Sequence, residues 1–140
     1  MNLYLVLGAT NSVISYAELY EEEALATEAV THFLGCVPVQ PAGGSVASSQ
    51  IDNINRRALY LPLQVDQTQC EKVFYVLVSS VPYLHSTTRA RVFYAEAAAK
   101  SELRSFNSAV SRTTFHAYLL AYTFPGLQRL AASSGRKTET

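Results

Sequence analysis

A chain of 140 residues, 49% of them hydrophobic, is long enough for one domain with a single real core and too short for two substantial ones. Its eleven acidic and eleven basic residues cancel, so no net charge draws nucleic acid or an anionic membrane, and protein partners are favoured. Two cysteines, Cys36 and Cys70, are too few for a disulfide framework, which points to a reducing, cytoplasmic setting.

In chain order, Leu3, Leu5 and Leu7 alternate with Tyr4 and Val6, so both faces of the first segment are apolar and it reads as a strand inside a sheet. Ala9-Thr10-Asn11-Ser12 then supplies turn residues, and VISYAELY is rich in residues that prefer a pleated surface, which predicts a hairpin. Glu21-Glu22-Glu23 places negative charge where a helix begins, and Ala26, Ala29 or Val30, Phe33 and Val37 follow at helical spacing up to Gly35 and Pro38. Residues 39–50 (VQPAGGSVASSQ) read as a flexible surface loop, with a further strand allowed between Ser45 and Asn55.

Leu59, Leu61, Leu63 and Val65 point one way and Tyr60, Pro62 and Gln64 the other, the period of a strand. Pro62 cannot donate to a ladder, so this strand lies at an edge or carries a bulge there. Residues 72–81 (KVFYVLVSSV) read as a buried strand, interrupted too soon to span a bilayer. From Thr87 the spacing of Val92, Ala95, Ala99, Leu103, Phe106 and Val110 predicts a helix, with Glu96, Lys100, Arg104 and Asn107 on its polar face. Residues 115–122 predict a second helix, stopped before Pro125, and residues 131–140 a disordered tail. The domain is expected to occupy residues 1–130, and the apolar N-terminus, with no Lys or Arg ahead of it, does not read as a leader.

The strand running into Gly8-Ala9-Thr10 is how a dinucleotide site begins, but such a site needs further glycines and a helix N-terminus facing the phosphates. Here Val13 and Ile14 follow, and the first helix opens on glutamates that would repel a phosphate, so Gly8 to Ser12 is expected to be a hairpin connection. His32 and Cys36 lie four apart, the spacing of two ligands on one helical face, yet the remaining ligands would have to come from Cys70 or His85 with no close pair to anchor them. No metal or cofactor is expected. His85 and His116 have no nucleophile-elbow serine to serve, and Gly43-Gly44-Ser45 reads as loop. Arg56, Arg57, Arg89, Arg91, Arg104 and Arg112 are interleaved with Glu96 and Glu102, the pattern of a solvated surface.

The fold class expected is α+β, a single antiparallel sheet of four to five strands in the order β-β-α-β-β-(β)-α-α. On LYLVLGATNSVISYAELY as opening hairpin, EEEALATEAVTHFLGCV as helix, and IDNINRRALYLPLQV with EKVFYVLVSSV as central ladder, the chain resembles the longin-like (profilin-like) fold. Within it, the resemblance is to the sedlin-type small subunits of TRAPP vesicle-tethering complexes. That resemblance implies a non-catalytic subunit that binds sister subunits or a small GTPase, cytoplasmic or peripheral on endomembranes, as a homo- or hetero-oligomer. Nine tyrosines without a tryptophan suit a surface both apolar and hydrogen-bonding, and Tyr16, Tyr20, Tyr60, Tyr75, Tyr94, Tyr118 and Tyr122 are the interaction candidates. Two other classes stay open: a self-assembling structural subunit of a viral or organelle scaffold, and a small nucleotide- or ligand-binding enzyme using the Gly8 to Ser12 turn.

Overall fold

A computed structural model of the chain describes residues 1–11, 13–35, 46–68, 72–80, 88–109, 116–124, 126–130 and 133–134. The first half consists of β1 (Asn2–Thr10), β2 (Val13–Tyr20), α1 (Glu23–Phe33), β3 (Ala47–Ile51) and β4 (Ile54–Gln64); the second of β5 (Val73–Ser80), β6 (Arg89–Phe93), α2 (Glu96–Ala109), β7 (His116–Thr123) and the two-residue β8 (Ser133–Ser134). They form two antiparallel sheets, ordered β2-β1-β4-β3 and β6-β5-β7-β8. The protein is α+β as expected, but with two sheets in place of one. Each half repeats a plan: a hairpin of a central and an edge strand, a helix, and a strand that returns to pair with the first.

Alternation along the strands explains the layering. Leu3, Leu5 and Leu7 of β1, Leu59 and Leu63 of β4, Phe74, Val76 and Val78 of β5, and Leu120 and Tyr122 of β7 meet in one buried cluster between the sheets. The opposite face of the first sheet, with Val6, Ala58 and Tyr60, is covered by Ala26, Val30 and Leu34 at the helical spacing of α1. Leu77, Ala117 and Leu119 of the second sheet are covered by Ala99 of α2, with Leu103 packed against them. The order of layers is therefore α1, first sheet, second sheet, α2. Each fully buried leucine contributes about 1.5–3 kcal/mol by leaving water, so the inter-sheet cluster is the main stabilising element.

β1 is an interior strand, apolar on both faces, as its sequence predicts. It runs through Gly8 and Ala9 to Thr10, so Gly8 belongs to the strand and not to the hairpin connection expected there. The turn centres on Asn11, at φ 48°, whose N–H donates to the Asn55 carbonyl at 2.8 Å and whose Oδ1 accepts the Asn55 N–H at 3.0 Å. Gly8 stands opposite Tyr16 and Ala9 opposite Ile14, which leaves Ser15 as the extra residue of a bulge.

Pro62 lies within β4, opposite Tyr4 of β1. Met1 and Val65 exchange both backbone hydrogen bonds, each 3.0 Å, and every second pair from there repeats that arrangement, so the nitrogen of Pro62 faces away from β1. On that side β3 reaches only to Ala58, and the proline occupies a local edge, as its missing donor requires.

Four further expectations are corrected. Within residues 39–50, residues 47–50 belong to β3, which is the strand allowed for between Ser45 and Asn55. It closes on β4 through Asp52 and Asn53, at φ 54° and 64°, a two-residue turn that residues tolerant of the left-handed region can make. The helix expected from Thr87 begins at Glu96, because Arg89–Phe93 alternates with period two and pairs with β5 as β6. Residues 115–122 are not helical: His116–Thr123 is β7, paired with β5 along its whole length. In the segment read as a tail, Ser133 and Ser134 pair with Leu119 and Tyr118.

Candidate functional site

Edge strand β2 and helix α1 leave a groove between them. β2 turns Ala17 and Leu19 toward the inter-sheet core and Tyr16 and Tyr20 toward α1. From α1, Leu25, Glu28, Ala29, His32 and Phe33 complete the lining of a cavity of about 440 Å³. Its floor is aromatic: the Tyr16 and Phe33 rings lie 6.0 Å apart at 40°, and the Tyr16 and Tyr20 hydroxyls are hydrogen-bonded to each other. Leu25, 45% exposed, forms part of the wall. Glu28 on its wall is exposed, as are Glu21 and Glu22, where the chain passes from β2 into α1.

Backbone chemistry fixes α1 as one wall. Glu22 precedes its first turn without a side-chain cap, and Glu23, in that turn, accepts a hydrogen bond from the Tyr60 hydroxyl at 2.7 Å. At the other end, Ser49 Oγ donates to the Leu34 carbonyl at 2.9 Å and Arg56 Nη1 to the Phe33 carbonyl at 3.4 Å, satisfying groups a helix end leaves open. Gly35, at φ 85°, then turns the chain out of the helix.

The phenols of the region are held protonated. Burial, followed by the hydrogen bond with Tyr16, pushes the Tyr20 pKa well above the usual tyrosine value. Burial, reinforced by the hydrogen bond to Glu23, raises that of Tyr60. A hydroxyl in this state offers a hydrogen bond to a ligand but does not act as a base near neutral pH.

A smaller cavity of about 120 Å³ opens between the sheets beside the β2 bulge, among Leu7, Ile14, Val78, Tyr118 and Leu120. Arg129, which also lines it, pairs with Glu18 at 3.4 Å and so joins the two halves.

The seven tyrosines divide. Tyr16 and Tyr20 come together in the groove. Tyr60 and Tyr122, 2% and 0% exposed, are core residues and have no surface to give a partner, which corrects their place among the interaction candidates. The Tyr122 hydroxyl instead donates to the Ala17 carbonyl at 3.2 Å, from one sheet to the other. Tyr75 packs on the α2 side of the second sheet. Tyr94 accepts the Asp66 N–H at 2.7 Å and, like Tyr118, packs half-buried against the inter-sheet cluster.

Phe33, Leu25 and Ala29 were absent from the candidates; the signal for them was the width of the apolar stripe on α1, which exceeds what one sheet face covers. His32 lines the groove; Cys36, Cys70, His85, Gly43-Gly44-Ser45 and Arg112 lie outside the described residues. Among the described residues there is no cluster of three potential metal ligands and no helix long and apolar enough to cross a membrane. Gly8 lies under the Phe33 ring, so the backbone there is not open to a pyrophosphate. Lys100 pairs with Glu96 and Arg91 with Glu102, each at 3.0 Å on the surface.

No protein-family model, no curated protein and no solved structure matches this chain.

Proposed function

We propose that the protein is a non-catalytic interaction module and that the groove between β2 and α1 is its docking surface. One observation carries this reading: a cavity of about 440 Å³ with an aromatic floor and a solvent-exposed leucine lies beside a strand at the edge of its sheet. Apolar surface that stays in contact with water next to an edge strand gains free energy when a partner covers it. Tyrosines suit such a place because the ring gives area and the hydroxyl a hydrogen bond, with few rotatable bonds to order. The exposed glutamates around the groove favour a partner that is positively charged.

The resemblance to longin-like tethering subunits supports the same class. On it rests the proposal that the protein is a subunit of a multi-protein complex in vesicle traffic, a small GTPase among its partners.

The test compares what co-purifies with the wild-type protein and with Leu25→Arg/Ala29→Arg, identified by mass spectrometry at near-physiological salt. Leu25 is exposed, whereas Ala29 packs half-buried beside the α1 cluster, so the comparison includes Leu25→Arg alone, which should keep the wild-type melting temperature. A set of proteins retained by the wild type and lost from the variant supports the groove. The same set on both overturns it.

A further inference from the structure

The neutrality of the whole chain conceals a division between its halves. Residues 1–66 carry seven acidic and two basic side chains, a formal charge of −5, whereas residues 67–140 carry four acidic and nine basic, a formal +5. The fold keeps these charges apart, because the first segment builds α1 and its sheet and the second builds the other sheet and α2, with the inter-sheet core between them. Among the described residues the first half keeps its −5 and the second carries six basic and two acidic side chains, a formal +4, so the α1 side is negative and the α2 side positive.

The repeated plan gives each layer an equivalent rim. In both halves an edge strand, β2 or β6, leads directly into the helix that covers its sheet. In the first half this rim is the apolar groove with Glu28 on its wall. In the second it is a ledge with a basic excess: the exposed Arg89 and Arg91 stand two apart on β6, the Arg91 guanidinium pairs with Glu102 at 3.0 Å and lies 5.1 Å from the Phe93 ring centre, and Arg104 is exposed on α2. Arginine stacked on an aromatic ring covers apolar surface while keeping its charge, which suits contact with a negative, apolar groove.

We propose that the occupant of the β2–α1 groove is the β6–α2 rim of a second copy of this chain, so that copies associate head to tail. This rests on the groove being a docking surface and names the partner it takes. The charge complementarity carries the inference: the groove rim with Glu21, Glu22 and Glu28 and the ledge where Arg89, Arg91 and Arg104 outnumber Glu102 lie on opposite layers of one molecule, and they attract between copies while like layers repel, which selects the head-to-tail contact over a symmetric one. Because the two patches differ, an open assembly keeps one free groove at one end and one free ledge at the other, and growth continues until a ring closes or as a filament.

The experiment is sedimentation velocity of the full chain from micromolar to near-millimolar concentration, at low salt and at 0.5 M NaCl. The expected result is a mass that rises above the 15.4 kDa monomer with concentration and falls back in high salt, where charges are screened. Glu21→Lys/Glu28→Lys and Arg89→Glu/Arg104→Glu should each associate at least about tenfold more weakly, the equivalent of one like-charge clash, with unchanged melting temperatures. Mixing the two variants should restore association, because each keeps the surface the other has reversed. A wild-type protein that stays monomeric throughout, or an assembly indifferent to salt and to both variants, overturns the proposal. In that event the co-purification test with Leu25→Arg/Ala29→Arg separately decides whether the groove docks another protein.

Discussion

The ring of Phe33, at the end of α1, lies against the backbone of Gly8 in β1, so close that a β-carbon at residue 8 would stand 2.7 Å from the ring's Cζ. The glycine that resembles the start of a phosphate turn is thus the seat of an aromatic ring. Helix and strand approach here because residue 8 has no side chain, and the same ring floors the groove beside Tyr16.

Gly8→Ala should displace the Phe33 ring and cost about 1–2 kcal/mol, within the usual range for overpacking, measured by urea denaturation. Phe33→Leu in the same chain should return part of that loss. A Gly8→Ala protein as stable as the wild type would mean that the ring moves aside freely.

Gly35→Ala should cost about 1–2 kcal/mol, because φ 85° is strained for a side chain and the new β-carbon would run into Ile51 Cδ1. Repeating the substitution in an Ile51→Ala background separates the two causes: the steric part disappears and the backbone part stays. Equal losses in both backgrounds would leave the strain of the helix end as the whole effect.

Tyr122→Phe removes the hydrogen bond to the Ala17 carbonyl while keeping the ring stacked 5.8 Å from Phe74. The expected loss is about 1 kcal/mol, the net worth of a buried hydrogen bond, read from the midpoint of chemical unfolding. An unchanged midpoint would show that the ring packing alone holds β7 against the first sheet.

Stability should fall from about pH 10 upward. Burial raises the pKa of Tyr122 and, with its hydrogen bond to Tyr16, that of Tyr20. Folded-state values above the unfolded value of about 10 mean that the unfolded chain loses the proton first, so stability is fully present below that pH and is lost above it. Tyr122→Phe should lessen the slope of melting temperature against pH between about pH 10 and 11.5. A slope unaltered by the substitution would place the titration elsewhere.

The sequence and the structure part company where pairing is non-local. β1, α1, β5 and the local edge at Pro62 were legible, because period and proline chemistry act within a few residues. β7 was not: Ala117 and Leu119 face α2 while Leu120 and Tyr122 face the other sheet, and a run apolar on both faces has no period to tell strand from helix. Its strand state is set by β5, some forty residues earlier. β3 was hidden by its small polar residues, although Asp52-Asn53 is a turn signal. The number of sheets was out of reach, since the apolar alternation is the same whether an inner face meets a helix or another sheet. Of the groove, the tyrosines of β2 were legible as candidates; the residues of α1 that complete it were not, because which part of an apolar stripe stays uncovered depends on where the helix sits.

The hydrogen bonds that close Met1 onto Val65 seal the first ladder before the chain crosses to the second sheet. Among the described residues, the strand pairings of the first sheet lie within residues 1–65 and those of the second within residues 73–134, so there the halves share a core but no ladder. During synthesis the first sheet has all its partners while the second is still being made, and it waits with an uncovered inner face. A chain cut between residues 68 and 72 would yield two pieces, each with a whole sheet and half a core, complementary to one another and sparingly soluble apart.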